Sequence, residues 1–130
     1  MTQEEKQLLL KDICARLPYG VICNCVDLNF SGSVDWTLFK INLQDYTIET
    51  TNNEWNKEFS IENIKPYLRP MSSMTEEEKE CYEYLCSTDE GYRQPFDSYH
   101  LVDWLIKNKF DYRGLIEKGL ALEAPDEMYK

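Results

Sequence analysis

Residues 64–78, Ile-Lys-Pro-Tyr-Leu-Arg-Pro-Met-Ser-Ser-Met-Thr-Glu-Glu-Glu, divide this chain into two kinds of sequence. Upstream, apolar and polar residues alternate in short runs, the period of a strand with one face buried. Downstream, apolar residues recur at helical spacing. The boundary has a physical cause. Proline lacks an amide donor and fixes its own φ, so Pro66 and Pro70 suit neither a central ladder nor the interior of a helix. Thr75 followed by Glu78 then forms a capping box: the Thr hydroxyl takes one orphan amide and the Glu reaches back to another. Strands segregated before helices define an α+β fold.

The same box opens the chain at Thr2-Gln3-Glu4-Glu5. Leu9, Leu10, Ile13 and Leu17 follow at helical spacing until Pro18, which predicts a helix over 3–16. Residues 19–28 read as a strand, with Val21, Cys23 and Cys25 on one side and Ile22, Val26 and Leu28 on the other. Apolar residues on both sides predict cover on both faces. A turn at 29–33, a strand over 34–43, a turn at Gln44-Asp45, a strand over 46–50 and a short strand near 57–59 come next. Ser60 caps one 3₁₀ turn at 61–63, and a last strand runs over 64–68, where Pro66 predicts an edge or a strand end. The result is a small curved antiparallel sheet or barrel of four to five short strands.

Two to three helices complete the expectation. One runs from Thr75 to about Cys86, with Cys81, Tyr82 and Leu85 on a common face. A loop over 87–96 leads to a helix capped by Asp97 or Ser98 and ending near Lys107, its apolar face Leu101, Trp104, Leu105 and Ile106. Leu115 and Ile116 sit in a short helical turn closed by Gly119, and Leu120 and Leu122 suit a final extended piece. At 130 residues this is one domain, 1–130, with residues 1–70 forming the helix-plus-sheet part and 71–130 the helical part.

Composition narrows function. The net charge is −10, so nucleic acid and anionic membranes are disfavoured as partners, because both are bound through Lys and Arg. The locally basic stretch with Lys107, Lys109, Arg113 and Lys118 is the one place such a partner would touch. No run is long enough to span a membrane, and the charged amino terminus predicts no signal peptide. Five cysteines at irregular spacing form no disulfide framework, which points to free, mostly buried thiols and a cytoplasmic protein.

Chemistry-bearing residues are sparse. His100 is the only histidine, with Asp103 one helical turn on, and no nucleophile motif accompanies it. Cys23-x-Cys25 in a strand lacks the knuckle spacing of a zinc site and suits core filling. Glycines form no phosphate loop. No metal or cofactor is called for. Nine Tyr and three Trp are more than a core of this size needs. Tyr67, Arg69, Phe110, Tyr112 and Arg113 therefore form a candidate interaction surface, since Tyr and Arg are favoured at hot spots. The competing and favoured expectation is that these segments pack on each other. Tyr67 and Tyr112 then anchor the helices to the sheet, and Arg69 or Arg113 binds an acid such as Asp111.

Three separated segments carry a resemblance: 8–20 (Leu-Leu-Leu-Lys-Asp-Ile-Cys-Ala-Arg-Leu-Pro-Tyr-Gly), 64–73, and 110–125 (Phe-Asp-Tyr-Arg-Gly-Leu-Ile-Glu-Lys-Gly-Leu-Ala-Leu-Glu-Ala-Pro). Together they resemble a family of small proteins of gut anaerobic bacteria and their phages or mobile elements. The resemblance implies a bacterial or phage cytoplasmic origin. It implies no activity, so no functional residue carries over. The functional expectation is a non-enzymatic interaction or regulatory accessory module that binds another protein. One alternative is a small enzyme or ligand-binding protein with a pocket between sheet and helices, using His100, Asp103 or a cysteine. A nucleic-acid-binding small barrel is the other, against the net charge.

Overall fold

The structure is a computed structural model and describes residues 1–27, 32–86 and 95–129. The elements run α1 (Gln3–Arg16), β1 (Ile22–Asp27), β2 (Gly32–Asn42), β3 (Thr47–Thr51), β4 (Asn56–Ser60), β5 (Ile64–Leu68), α2 (Glu76–Cys86), α3 (Pro95–Lys107) and β6 (Leu122–Glu123). The chain is α+β: an amino-terminal helix, a six-stranded and mostly antiparallel open sheet, and carboxy-terminal helices. The turn expected at 29–33 and the loop expected over 87–96 fall largely outside the described residues.

Strand order is β4-β3-β2-β1-β5-β6. Successive hairpins build β1 to β4, while β5 returns to pair antiparallel with β1 through Cys23↔Pro66 and Cys25↔Ile64. This return explains the curvature. β4 and β5 are four strand intervals apart in the sheet, about 19 Å if it were flat. Only the 3₁₀ turn Ile61–Asn63, three residues long, joins them. The four residue steps from Ser60 to Ile64 reach at most about 14 Å. The sheet must therefore curl until β4 and β5 approach, although its strand order stays open-ended. A register shift between Leu38 and Lys40 in long β2 places a bulge at Phe39, which sharpens the bend.

Six strands replace the expected four to five because Leu122 and Glu123 pair in parallel with Tyr67 and Leu68. That pairing also revises Pro66. β5 lies between β1 and β6 rather than at an edge, and proline is tolerated because β6 joins only from Tyr67 onward, leaving one side open at Pro66.

Cover on both faces is not what forms. α1 lays Leu9 and Ile13 on the concave face against Val21, Cys23, Cys25, Leu38, Ile48, Ile64 and Leu68, all buried. Among the described residues the other face is solvated: Val26 is 42% exposed, Ile22 and Asn24 are only half-buried, and Asp35 is exposed. One solvated face is ordinary for an antiparallel sheet. A second, smaller core unites Met74, Leu105 and Phe110 with Tyr82, Leu101 and Trp104 between α2 and α3. Trp104 stacks on Phe110 at 5.5 Å between ring centroids.

Both capping boxes form. Glu5 N donates to Thr2 Oγ1 and Thr2 N to Glu5 Oε1. Glu78 N donates to Thr75 Oγ1 at 3.1 Å and Thr75 N to Glu78 Oε1 at 2.9 Å. α3 begins at Pro95, before the expected cap, in keeping with proline's fitness for a first helical position. It ends in a Schellman-type closure, with Phe110 N donating to Leu105 O and Lys109 N to Ile106 O. The single helical turn expected at Leu115 and Ile116 forms, with Lys118 N donating to Gly114 O, and Gly119 closes it at φ 75° as Gly119 N donates to Ile116 O and Leu120 N to Leu115 O; Asp111 caps its start by accepting from Leu115 N and Ile116 N.

Candidate interaction surface

The segment after α3 threads back to the end of β5. Arg69 N donates to Lys109 O, and Asp111 N donates to Arg69 O. This sets Phe110 under Arg69, whose guanidinium carbon lies 4.2 Å from the ring centroid. The Arg69 fork closes on Glu78, with Nη2 2.6 Å from Oε1 and Nη1 2.7 Å from Oε2. A bidentate, charge-assisted pair is the strongest form of this contact. Arg69 holds the Glu78 carboxyl down at about 2 against the opposing effect of burial, with further help from Thr75. One glutamate thus caps α2 and ties it to the sheet.

A second junction joins α1 to the same returning segment. Asp12 and Arg16 are fully buried, four residues apart on α1, with Arg16 Nε donating to Asp12 Oδ2 at 2.7 Å. Arg16 Nη2 also donates to Phe110 O at 2.7 Å, and Arg113 Nε donates to Asp12 Oδ1 at 3.1 Å. Both guanidiniums lie over the Tyr112 ring, that of Arg16 5.7 Å and that of Arg113 4.8 Å from its centroid. Burial, first among several causes, raises the Tyr112 phenol above its ordinary pKa.

Four of the five sequence candidates therefore belong to these two junctions. Phe110 is wholly buried and has no surface to offer a partner. The arginines do find acids, but Glu78 and Asp12 rather than Asp111, whose oxygens are spent on backbone amides. Tyr67 is not with the helices. It stands on the open face of the sheet, where its hydroxyl donates to Asp35 Oδ1 at 3.0 Å beside Asn24, which donates to the same oxygen. Partial burial, and then the Asp35 bond, raise the Tyr67 phenol. Its backbone carbonyl accepts from the Tyr129 hydroxyl, which itself accepts from Ile22 N, pinning the carboxy-terminal segment to the sheet.

Where the tie, β6 and the end of the chain meet, a cleft of about 470 Å³ opens. Arg69, Pro70, Pro125 and Tyr129 line its body, and Glu77, Glu123 and Asp126 stand on it as exposed acids. None of these three acids has an ion-pair partner among the described residues. Glu5, Glu62 and Glu78, by contrast, are engaged in a cap or an ion pair. The cleft was not legible in the sequence, because it brings residues 69–78 against 123–129 through the parallel pairing of β6.

His100 and Asp103 are exposed on α3 and do not line this cleft. Cys23 and Cys25 are buried in the core, where burial drives the Cys23 thiol far above its ordinary range, while Cys14 is exposed. Among the described residues no group of His, Cys, Asp or Glu is arranged to hold a metal, and no helix is long and apolar enough to cross a membrane.

Fold and surface define a small α+β domain with a curled sheet and an acidic cleft beside its helix-to-sheet tie. No protein-family model, curated protein or solved structure matches the chain.

Proposed function

We propose that the protein is a non-enzymatic binding module whose cleft takes a basic segment of a partner protein. The observation that carries this reading is the set of three exposed acids, Glu77, Glu123 and Asp126, on one cleft, none with an ion-pair partner among the described residues, while the cleft's Arg69 is committed to Glu78. Pro70, Pro125 and Tyr129 offer apolar surface to the stem of a Lys or Arg side chain, and the acids answer its head. The chain's net charge of −10 adds long-range attraction for a cationic partner. The resemblance of residues 8–20, 64–73 and 110–125 supports placing that partnership in the cytoplasm of a bacterium or its phage.

Calorimetric titration with an arginine- and lysine-rich peptide tests the reading. Binding at low salt should weaken by roughly an order of magnitude when salt is raised tenfold, as screening shortens the range of the attraction. It should disappear in the triple variant Glu77→Gln, Glu123→Gln, Asp126→Asn. Absence of binding at low salt, or equal affinity for the triple variant, overturns it.

A further inference from the structure

Away from the cleft, an acidic chain gathers cations round one carboxylate. Asp12 accepts Arg16 Nε on Oδ2, and both Arg16 Nη2 and Arg113 Nε on Oδ1, so one acid serves two guanidiniums. Lys109 stands near Arg16, donates to the neutral carbonyls of Tyr19 and Lys107, lies over the Tyr129 ring, and has no carboxylate partner among the described residues. Neighbouring Asp111 has both oxygens committed to backbone amides. Positive charge is in local excess.

A second observation is independent of this charge count. Arg16 is 0% exposed, yet its Nη1 has no hydrogen-bond partner among the described residues, and the buried hydroxyl of Tyr112 has only the Arg113 guanidinium beside it, without a well-formed bond. Buried donors are normally satisfied, and those of a cation most of all. Lys109 adds a third. It closes α3 with φ at 67°, a left-handed position that glycine usually fills at lower cost. A long cationic side chain is kept there all the same.

We propose that Arg16, Arg113, Lys109 and the Tyr112 hydroxyl form an oxyanion-binding site for a carboxylate or phosphate group. Arg113, whose side chain is 20% exposed, and Lys109 receive the anion from solvent, and Arg16 and Tyr112 supply the inner donors. Guanidinium groups suit this role because their planar donors match both carboxylate and phosphate oxygens. The overall negative charge does not forbid it, since at physiological salt charges more than about 8 Å away are largely screened.

Thermal unfolding in inorganic phosphate, and separately in acetate, against sodium chloride at matched ionic strength provides the test. The parent protein is compared with Arg113→Gln and Lys109→Gln. Phosphate stabilises folded proteins generally through exclusion from their surface, so the readout is the difference between parent and variants. The parent should show a saturating rise in Tm, as linkage to a bound ligand requires. Apparent affinity should fall about tenfold or more in Arg113→Gln, which loses a charged hydrogen bond, and also fall in Lys109→Gln. A rise with phosphate alone identifies a phosphate site, and an equal rise with acetate a carboxylate site. Identical, unsaturating rises in all three proteins overturn the proposal. If Arg113→Gln does not fold, the Arg113 Nε–H resonance of the parent decides: it must shift on titration, and an unmoved resonance overturns the proposal equally.

Discussion

Asp12→Ala is the substitution whose cost the structure fixes most firmly. Asp12 is 0% exposed and, among the described residues, is the one carboxylate partner of Arg16, also 0% exposed. Removing it strands a guanidinium inside the core and frees Arg113 Nε as well. Breaking a buried pair from one side costs about 3–5 kcal/mol, most of it the uncompensated charge left behind. Domains of this size are stable by about 5–15 kcal/mol, so the variant should lose about a fifth of its stability at the least. Arg113→Ala removes a partner that is 20% exposed and should cost about 1 kcal/mol. The double replacement Asp12→Leu, Arg16→Met removes both charges and should cost far less than the single one, because apolar side chains of similar volume replace a buried pair at little net cost. Urea unfolding followed by far-ultraviolet circular dichroism and tryptophan fluorescence measures all three, with the m-value checked for constancy. A cost below about 1 kcal/mol for Asp12→Ala, or a double variant as unstable as Asp12→Ala, would rule this out.

The Glu78 tie has a pH signature. Its carboxyl falls from an ordinary 4.5 to about 2 in the folded protein, so its contribution is complete above 4.5 and is lost as pH falls toward 2. Tm measured across that window should drop more steeply in the parent than in Glu78→Gln, and parallel curves would remove the tie from the account. Thr75→Ala deletes the hydroxyl that accepts Glu78 N and should cost about 1 kcal/mol in chemical denaturation, with Thr2→Ala similar on α1. Thiol labelling with a disulfide reagent under native conditions should modify exposed Cys14 first and leave buried Cys23 and Cys25 until the domain unfolds. Rapid native labelling of Cys23 would contradict the core described here.

Local signals carried most of the fold. The capping boxes at Thr2 and Thr75, the stop at Pro18, the 3₁₀ turn behind Ser60 and the strand over 64–68 all depend on neighbours within a few residues, and all formed. Distant pairing was illegible. β6 is two residues long, too short for a period, and only its parallel contact with β5 makes it a strand. Tyr67 alternates along β5 as expected but faces Asp35 rather than the helices, since strand period gives two faces without saying which one the helices cover. Asp12 and Arg16 were the missed signal within reach. With Leu9 and Ile13 they occupy one helical stripe, so an acid and a base four apart lay on the face that the core buries. The cleft left no local trace, because its acids come from α2, β6 and the carboxy-terminal turn.

This cleft is the proposed seat of a basic partner. An ¹H–¹⁵N correlation spectrum recorded during titration with an arginine- and lysine-rich peptide tests it residue by residue. The amides of Glu77, Glu78, Glu123, Ala124, Asp126 and Tyr129 should shift together and saturably, while those of the open sheet face around Asn24 and Asp35 stay in place. Shifts centred on the open face, or none at any residue of the cleft, would contradict it.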